Sequence, residues 1–293
     1  MTWMIPRSVR AGKTDGPAGR RTDAPARQRT GVAVAVAALV SAGALAAHDT
    51  WLLPSVFITP AGQVVTLGLT SATAFPEPET LIGAERVRTA ELRLAGRTRA
   101  LRAFTAGSRE LVVRTRPDRA GYATIFVTLH PRTLELTEDQ VAHYLDEIGA
   151  GASLREAWER APAPRRWRET YVKHAKTFVR VGPARDSSWA EPVGQELEIV
   201  PESDPAALHA GDTLAVRVLR GGAPLAGVAV GVVIEGQAPQ RFTTDEAGRA
   251  RFALTAPGRA LLRVTDIRAA AAGDGSWQSD FATLTLLVTS PRC

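Results

Sequence analysis

QVVTLGLTS, residues 63–71, alternates apolar with polar or small residues at a period of two. Side chains along a strand point to opposite faces in turn, so this alternation predicts a half-buried β-strand. The pattern repeats outward in both directions. VFIT (56–59) precedes it and ends at Pro60-Ala61-Gly62, and RTAELRLAG (88–96), RTRALRAFTAG (97–107) and RELVVRTRP (109–117) follow, each bounded by Gly or Pro. GYATIFVTLHP (121–131) closes the series. Short alternating runs separated by turn residues are the pattern of an antiparallel sandwich. Residues 74–83, where Pro76 and Pro78 alternate with Glu77 and Glu79, read as a loop between strands.

The texture changes after Pro131. Thr137 and Gln140 have capping-box spacing and predict a helix from Glu138 to about Ile148, ended by Gly149. Leu154–Arg160 and Arg166–Lys176 read as two further helical segments, the last carrying Trp167, Tyr171 and Ala175 along one face. TFVRVG (177–182) returns to strand. A polar connector with Pro and Gly covers 184–194. QELEIVP, GDTLAVRVLRGG, GVAVGVVIEG, QRFTTDEAGRARFALTAPG, RALLRVTDIRAA and FATLTLLVTS then read as six or seven strands between 195 and 290, with 269–275 a loop. The expected fold is mainly β: two tandem antiparallel β-sandwich domains, over 48–183 and 195–290. The first has a helical insertion at about 132–176, and the second is of immunoglobulin or transthyretin type.

Upstream lies GVAVAVAALVSAGALAAHDTW, residues 31–51, an uncharged apolar run that ends in small residues and follows a basic segment. It reads as a secretory signal peptide over 1–47, cleaved near Ala46 or Ala47, which places the protein in the periplasm or outside the cell. The run is short of the ~20 apolar residues of a spanning helix, so no stable membrane insertion is expected after cleavage. Charge placement agrees. The chain has 36 Lys+Arg against 30 Asp+Glu, and residues 1–47 hold seven of the positives and two of the negatives. The remainder is +1, which offers no basic footprint for nucleic acid. Cys293 is the only cysteine, so no intrachain disulfide forms and core packing must hold the fold.

Several segments stand in order along the chain. They are His48-Asp49-x-Trp51-Leu52-x-Pro54, Tyr144-Leu145-Asp146-Glu147-x-Gly149, and Arg168-Glu169-x-Tyr171-x-Lys173-x-Ala175-Lys176 running into Val181-Gly182. Gly222-x-Pro224-Leu225-x-Gly227, Thr243-Thr244-Asp245-x-x-Gly248 and Trp277-x-Ser279-x-Phe281-Ala282-Thr283-Leu284-Thr285 complete the set. In these segments the chain resembles a bacterial periplasmic family of unknown function described as nickel-uptake-like, related by name to the additional periplasmic components of nickel and cobalt transporters. The resemblance implies an exported protein of two β-rich domains with a role in divalent metal uptake or sensing, and a membrane transporter component as partner. Where many members carry His-Met after the turn at Pro257-Gly258, this chain has Asp266-Ile267.

The residues themselves name candidate metal ligands. His48, if it becomes the first residue, offers its α-amine and imidazole to one ion, and Asp49 adds a carboxylate. The competing reading is that His48 and Trp51 simply begin a strand. His130, before Pro131, sits at a sandwich rim. Asp266 and Asp280 flank the 269–275 loop, where they would complete a site or form turn caps and ion pairs. His143, His174 and His209 show no metal-motif spacing, although His143 and His174 both fall on expected helices. No Gly-x-Ser-x-Gly elbow, phosphate-cradling loop or zincin helix is present. The expected function is therefore non-catalytic: binding of a divalent ion of the nickel or cobalt class, with copper or zinc compatible, and assistance in its uptake or delivery. The alternative is a carbohydrate- or protein-binding, adhesion-like β-sandwich module.

Overall fold

The computed structural model describes residues 48–161, 164–183, 186–271 and 274–291. The expected signal peptide and Cys293 lie outside these residues. The described chain forms one compact unit. Its first strands are β1 (Asp49–Pro54), β2 (Ile58–Thr59), β3 (Val65–Ala72), β4 (Thr80–Leu81), β5 (Val87–Leu94) and β6 (Arg97–Ala100). β7 (Phe104–Ala106), β8 (Leu111–Thr115), β9 (Gly121–Leu129) and β10 (Arg132–Leu136) follow, then helices α1 (Glu138–Glu147) and α2 (Ala152–Glu159). β11 (Trp167–Val181) leads to β12 (Leu197–Pro201), β13 (Thr213–Arg220), β14 (Ala223–Pro224), β15 (Ala229–Ile234) and β16 (Gln240–Thr243). β17 (Arg249–Ala253), β18 (Gly258–Ala269) and β19 (Trp277–Val288) end the chain.

The fold is mainly β, as expected, and its strands make three sheets. A five-stranded sheet runs β1-β3-β8-β7 with β4 on β3, and a four-stranded sheet runs β12-β13-β14 with β17 on β13. A ten-stranded sheet runs β16-β15-β18-β19-β11-β9-β5-β6, with β10 and β2 also on β11. The long sheet contributes to two cores. Leu67, Leu69, Leu111 and Val113 of the five-stranded sheet meet Leu92, Ile125, Val127 and Val179 of the long one. Ile199, Leu214, Val216 and Phe252 of the four-stranded sheet meet Val230, Leu262, Leu284 and Leu286 of its other end. Antiparallel pairing dominates, but β11 and β19 lie parallel from Glu169↔Trp277 to Thr177↔Thr285, and this pairing joins the two ends of the sheet.

α1 begins where its sequence predicts, with Thr137 N donating to Gln140 Oε1 at 2.9 Å, and Gly149 takes φ +69° just past its end. α2 also forms. The expected third helix at 166–176 does not: this segment is the first two thirds of β11. Trp167, Tyr171 and Ala175 share a face at spacing four in a strand as well as in a helix. The residues between them on that face are Glu169 and Lys173, both buried and both charged, so the hydrophobic alternation of a strand is hidden. The insertion therefore comprises two helices, and residues 132–136 and 167–171 flank it as paired strands. Trp167 stacks on Trp277 with ring centres 4.7 Å apart, and Trp158 of α2 meets Trp167 edge-on at 5.6 Å.

The connector after β11 is held by charge. Lys176 Nζ donates to Glu198 Oε1 at 2.6 Å, both buried, and the same carboxylate accepts Val193 N and Gly194 N. Arg93 donates to the carbonyls of Ser188, Glu191 and Pro192.

Candidate functional site

β1 organises the surroundings of every residue proposed near the start of the folded chain. Its ladder partner is β3, from Asp49↔Ala72 to Pro54↔Leu67. The carbonyls on its other side face the long sheet, and side chains of that sheet satisfy them. Lys173 Nζ donates to His48 O at 2.6 Å, Thr283 Oγ1 to Thr50 O at 2.6 Å and Thr285 Oγ1 to Leu52 O at 2.7 Å. A buried carbonyl without a donor costs about 1–3 kcal/mol, which accounts for a lysine and two threonines on an inward face. The edge of β1 is thus closed to further strand pairing.

Past Pro54 the chain changes sheets. Ser55 N still bonds to Thr66 O, but Phe57 O accepts Arg180 N, and β2 pairs in parallel with β11. This crossing leaves Val56 and Ile58 facing solvent at 43% and 45% exposure. They line a groove of about 700 Å³ with Leu53, Pro54, Phe57, Pro76 and Pro78. Gly68, with no side chain, forms part of the lining. Trp51 also borders the groove but is buried and meets Phe75 edge-on at 5.3 Å. The loop carrying Pro76 and Pro78 is pinned by Glu79, which accepts Thr73 N and Oγ1; these bonds hold its carboxyl below the usual range. Two charges border the groove, Glu110 and Arg259, and Arg259 is paired with Glu235 at 2.7 Å.

The candidate metal ligands lie apart. His48 is buried, and its Nδ1 has no hydrogen-bond partner among the described residues. Asp49 Oδ2 lies 2.5 Å from Arg263 Nη1; burial raises its carboxyl pKa, and Arg263 offsets this only in part. His130 is exposed at the end of β9, with its backbone tied to Arg86. Asp266 Oδ2 receives Arg220 and Arg268, each at 3.1 Å. Its cross-strand partner Asp280 binds His174 Nε2 at 3.0 Å and Arg268 at 2.9 Å. Burial pushes the Asp280 carboxyl up, but these two bonds outweigh it and leave it low. His143 is exposed on α1, and His174 lies inside on β11, bonded to Asp280 and Thr128. Among the described residues no three His, Cys, Asp or Glu side chains are grouped to hold a metal.

A buried carboxylate that sequence reasoning passed over lies beneath α1. Glu169 accepts Tyr144 Oη at 2.9 Å, Trp167 Nε1 at 2.6 Å and Ser279 Oγ. Burial holds its pKa above the usual range despite these bonds. The available signal was a charged pair two and six residues after Trp167, on the face that Trp167 itself buries.

The sequence profile of a family described as "Domain of unknown function (DUF4198)" matches residues 45–267. No curated protein matches the chain. Among solved structures, the FdeC adhesin of Escherichia coli is 13% identical with a TM-score of 0.24, covering 83% of this chain and 64% of its own. The Yersinia pseudotuberculosis adhesin InvE is 13% identical with a TM-score of 0.22, covering 80% and 58%. A two-domain fibronectin type III segment of chicken tenascin is 10% identical with a TM-score of 0.21, covering 82% and 99%. The matches span less than two thirds of the two adhesin chains. Among the described residues no helix is long and apolar enough to cross a membrane.

Proposed function

The chain belongs to the family described as a domain of unknown function, DUF4198, and we propose that it is a non-catalytic binding module that takes an extended apolar segment of another protein. The observation that carries this reading is the groove beside β1 and β2, where Val56 and Ile58 stay exposed among prolines and leucines. A contiguous exposed apolar surface marks an interaction site more often than scattered single residues do. The lining favours protein over carbohydrate. Sugar rings pack on flat aromatic faces with many polar groups around them, and the tryptophan at this groove is itself buried.

Selection of a phage-displayed peptide library on the protein tests the reading. Apolar, extended peptides should be enriched, and the double variant Val56→Asp/Ile58→Asp should bind them at least about tenfold more weakly, a loss of about 1.4 kcal/mol. Both positions are exposed, so the thermal midpoint should stay unchanged. Peptides that bind the double variant equally well would sink the proposal.

A second reading, capture of a nickel- or cobalt-class ion for uptake, draws on the buried Nδ1 of His48. Asp49 is already engaged by Arg263, so the donors around that nitrogen are few. The reading then needs the α-amine of a chain that begins at His48. Titration of the exported protein with Ni(II), Co(II), Cu(II) and Zn(II) tests it, with His48→Ala as control. Equal affinity in that variant would overturn it.

A further inference from the structure

A second cavity, of about 210 Å³, opens on the other face of β1 from the apolar groove. Arg86, Arg132 and Lys173 line it, with the hydroxyl-bearing Thr50, Ser71 and Tyr171. The cations come from three elements. Arg86 precedes β5 and is fixed by its bond to His130 O at 2.9 Å. Arg132 opens β10 and is the cross-strand partner of Tyr171. Lys173 lies two residues further along β11, with Nζ 5.6 Å from the Tyr171 ring centre.

Three cations share this space, and among the described residues none is in an ion pair. Buried lysines are ordinarily paired. Lys173 is 4% exposed, and its one hydrogen bond goes to a neutral carbonyl. Two of the nearby carboxylates are committed elsewhere, and one lines the cavity at its rim. Asp49 holds Arg263, and Glu169 holds Tyr144, Trp167 and Ser279, while Glu85, exposed, lines the cavity as a single negative charge against three positive ones. Their mutual repulsion also registers in the ionisation of the groups: burial first, then Arg132, lowers the Arg86 pKa.

We propose that this cavity binds a small oxyanion, a carboxylate or phosphate group, held between Arg86, Arg132 and Lys173 with hydroxyl support from Thr50, Ser71 and Tyr171. The Arg forks supply paired N–H donors, and the lysine supplies a point charge from below. The size suits a small anion rather than a ligand that fills a cavity of ~300 Å³ or more.

Calorimetry on the full protein with inorganic phosphate, succinate and citrate, each against chloride at matched ionic strength, tests this. At least one probe should bind, and the responding probe separates a phosphoryl from a carboxylate ligand. Arg132→Gln and Arg86→Gln lie at the surface or half-buried and should fold. Each should weaken binding by about tenfold or more. Val56→Asp/Ile58→Asp should leave it unchanged, so failure here and failure of the groove reading are separable. No probe binding tighter than about 10 mM, or equal binding by the two arginine variants, overturns the proposal.

Discussion

Lys173 is an ammonium group placed where water is scarce. Burial brings its pKa down from 10.5 to about 8, with Asp49 and Glu169 opposing and Arg86 and Arg132 assisting. Between those two values the unfolded chain carries a proton that the folded chain has released. Unfolding then takes up a proton, so stability rises with pH through this window. The difference in unfolding free energy between the native protein and Lys173→Met should therefore grow by roughly 3 kcal/mol from about pH 8 to 10.5. Lys176, whose pKa burial also lowers, contributes in the same sense, and taking the difference against Lys173→Met removes it. Urea titrations across that range measure the trend, and a flat difference would contradict the assigned ionisation. Glu169 presents the complementary case. Glu169→Ala leaves Tyr144, Trp167 and Ser279 without their acceptor and should cost roughly 3–5 kcal/mol. Glu169→Gln keeps one acceptor oxygen and should recover a large part of that loss. His48, named from sequence as the sharpest candidate, is legible only in part. Its place at the first strand follows from the pattern around Trp51, but the use of its carbonyl by Lys173 joins residues 125 positions apart.

At the scale of elements, β1 depends on side chains from a sheet it does not pair with. Thr283→Val and Thr285→Val keep the shape of each residue and remove the donors to Thr50 O and Leu52 O. Each should cost about 1–3 kcal/mol. Amide hydrogen exchange should accelerate first in β1, while β13 and β17 keep their relative protection. Equal protection of β1 in both variants would show that water or another donor replaces the hydroxyls. This dependence also explains which strands the sequence reveals. β3, β9, β13 and β15 bury aliphatic residues at every second position and are plain in the alternation. β11 buries Trp, Glu, Tyr and Lys in turn over its first half, so a reading based on hydrophobic period assigns it to a helix. β19 likewise begins at Trp277, earlier than the apolar run from Phe281 suggests, because Ser279 is an inward residue.

For the molecule as a whole, the decisive contact is the parallel pairing of β11 with β19. It joins segments 108 positions apart, as in Glu169↔Trp277, and no local pattern encodes it. Two β-rich stretches with a polar connector are what the sequence shows in order. The folded chain adds one sheet that runs through both and a connector fastened by Lys176, Glu198 and Arg93. Such a sheet should couple the two cores energetically. Heat unfolding of the protein should then appear as one transition with calorimetric and van't Hoff enthalpies in agreement. Leu284 provides the sharper measurement. It is fully buried on β19 and packs in the core formed with β12, β13 and β17. Leu284→Ala should cost about 2–5 kcal/mol through the cavity it leaves. With coupled cores, the most protected amides of β3 should lose as much protection as those of β13, although β3 contributes no buried residue to the substituted residue's core. Loss confined to β13 would mean that the cores open separately, with β11 and β19 parting before either core is lost.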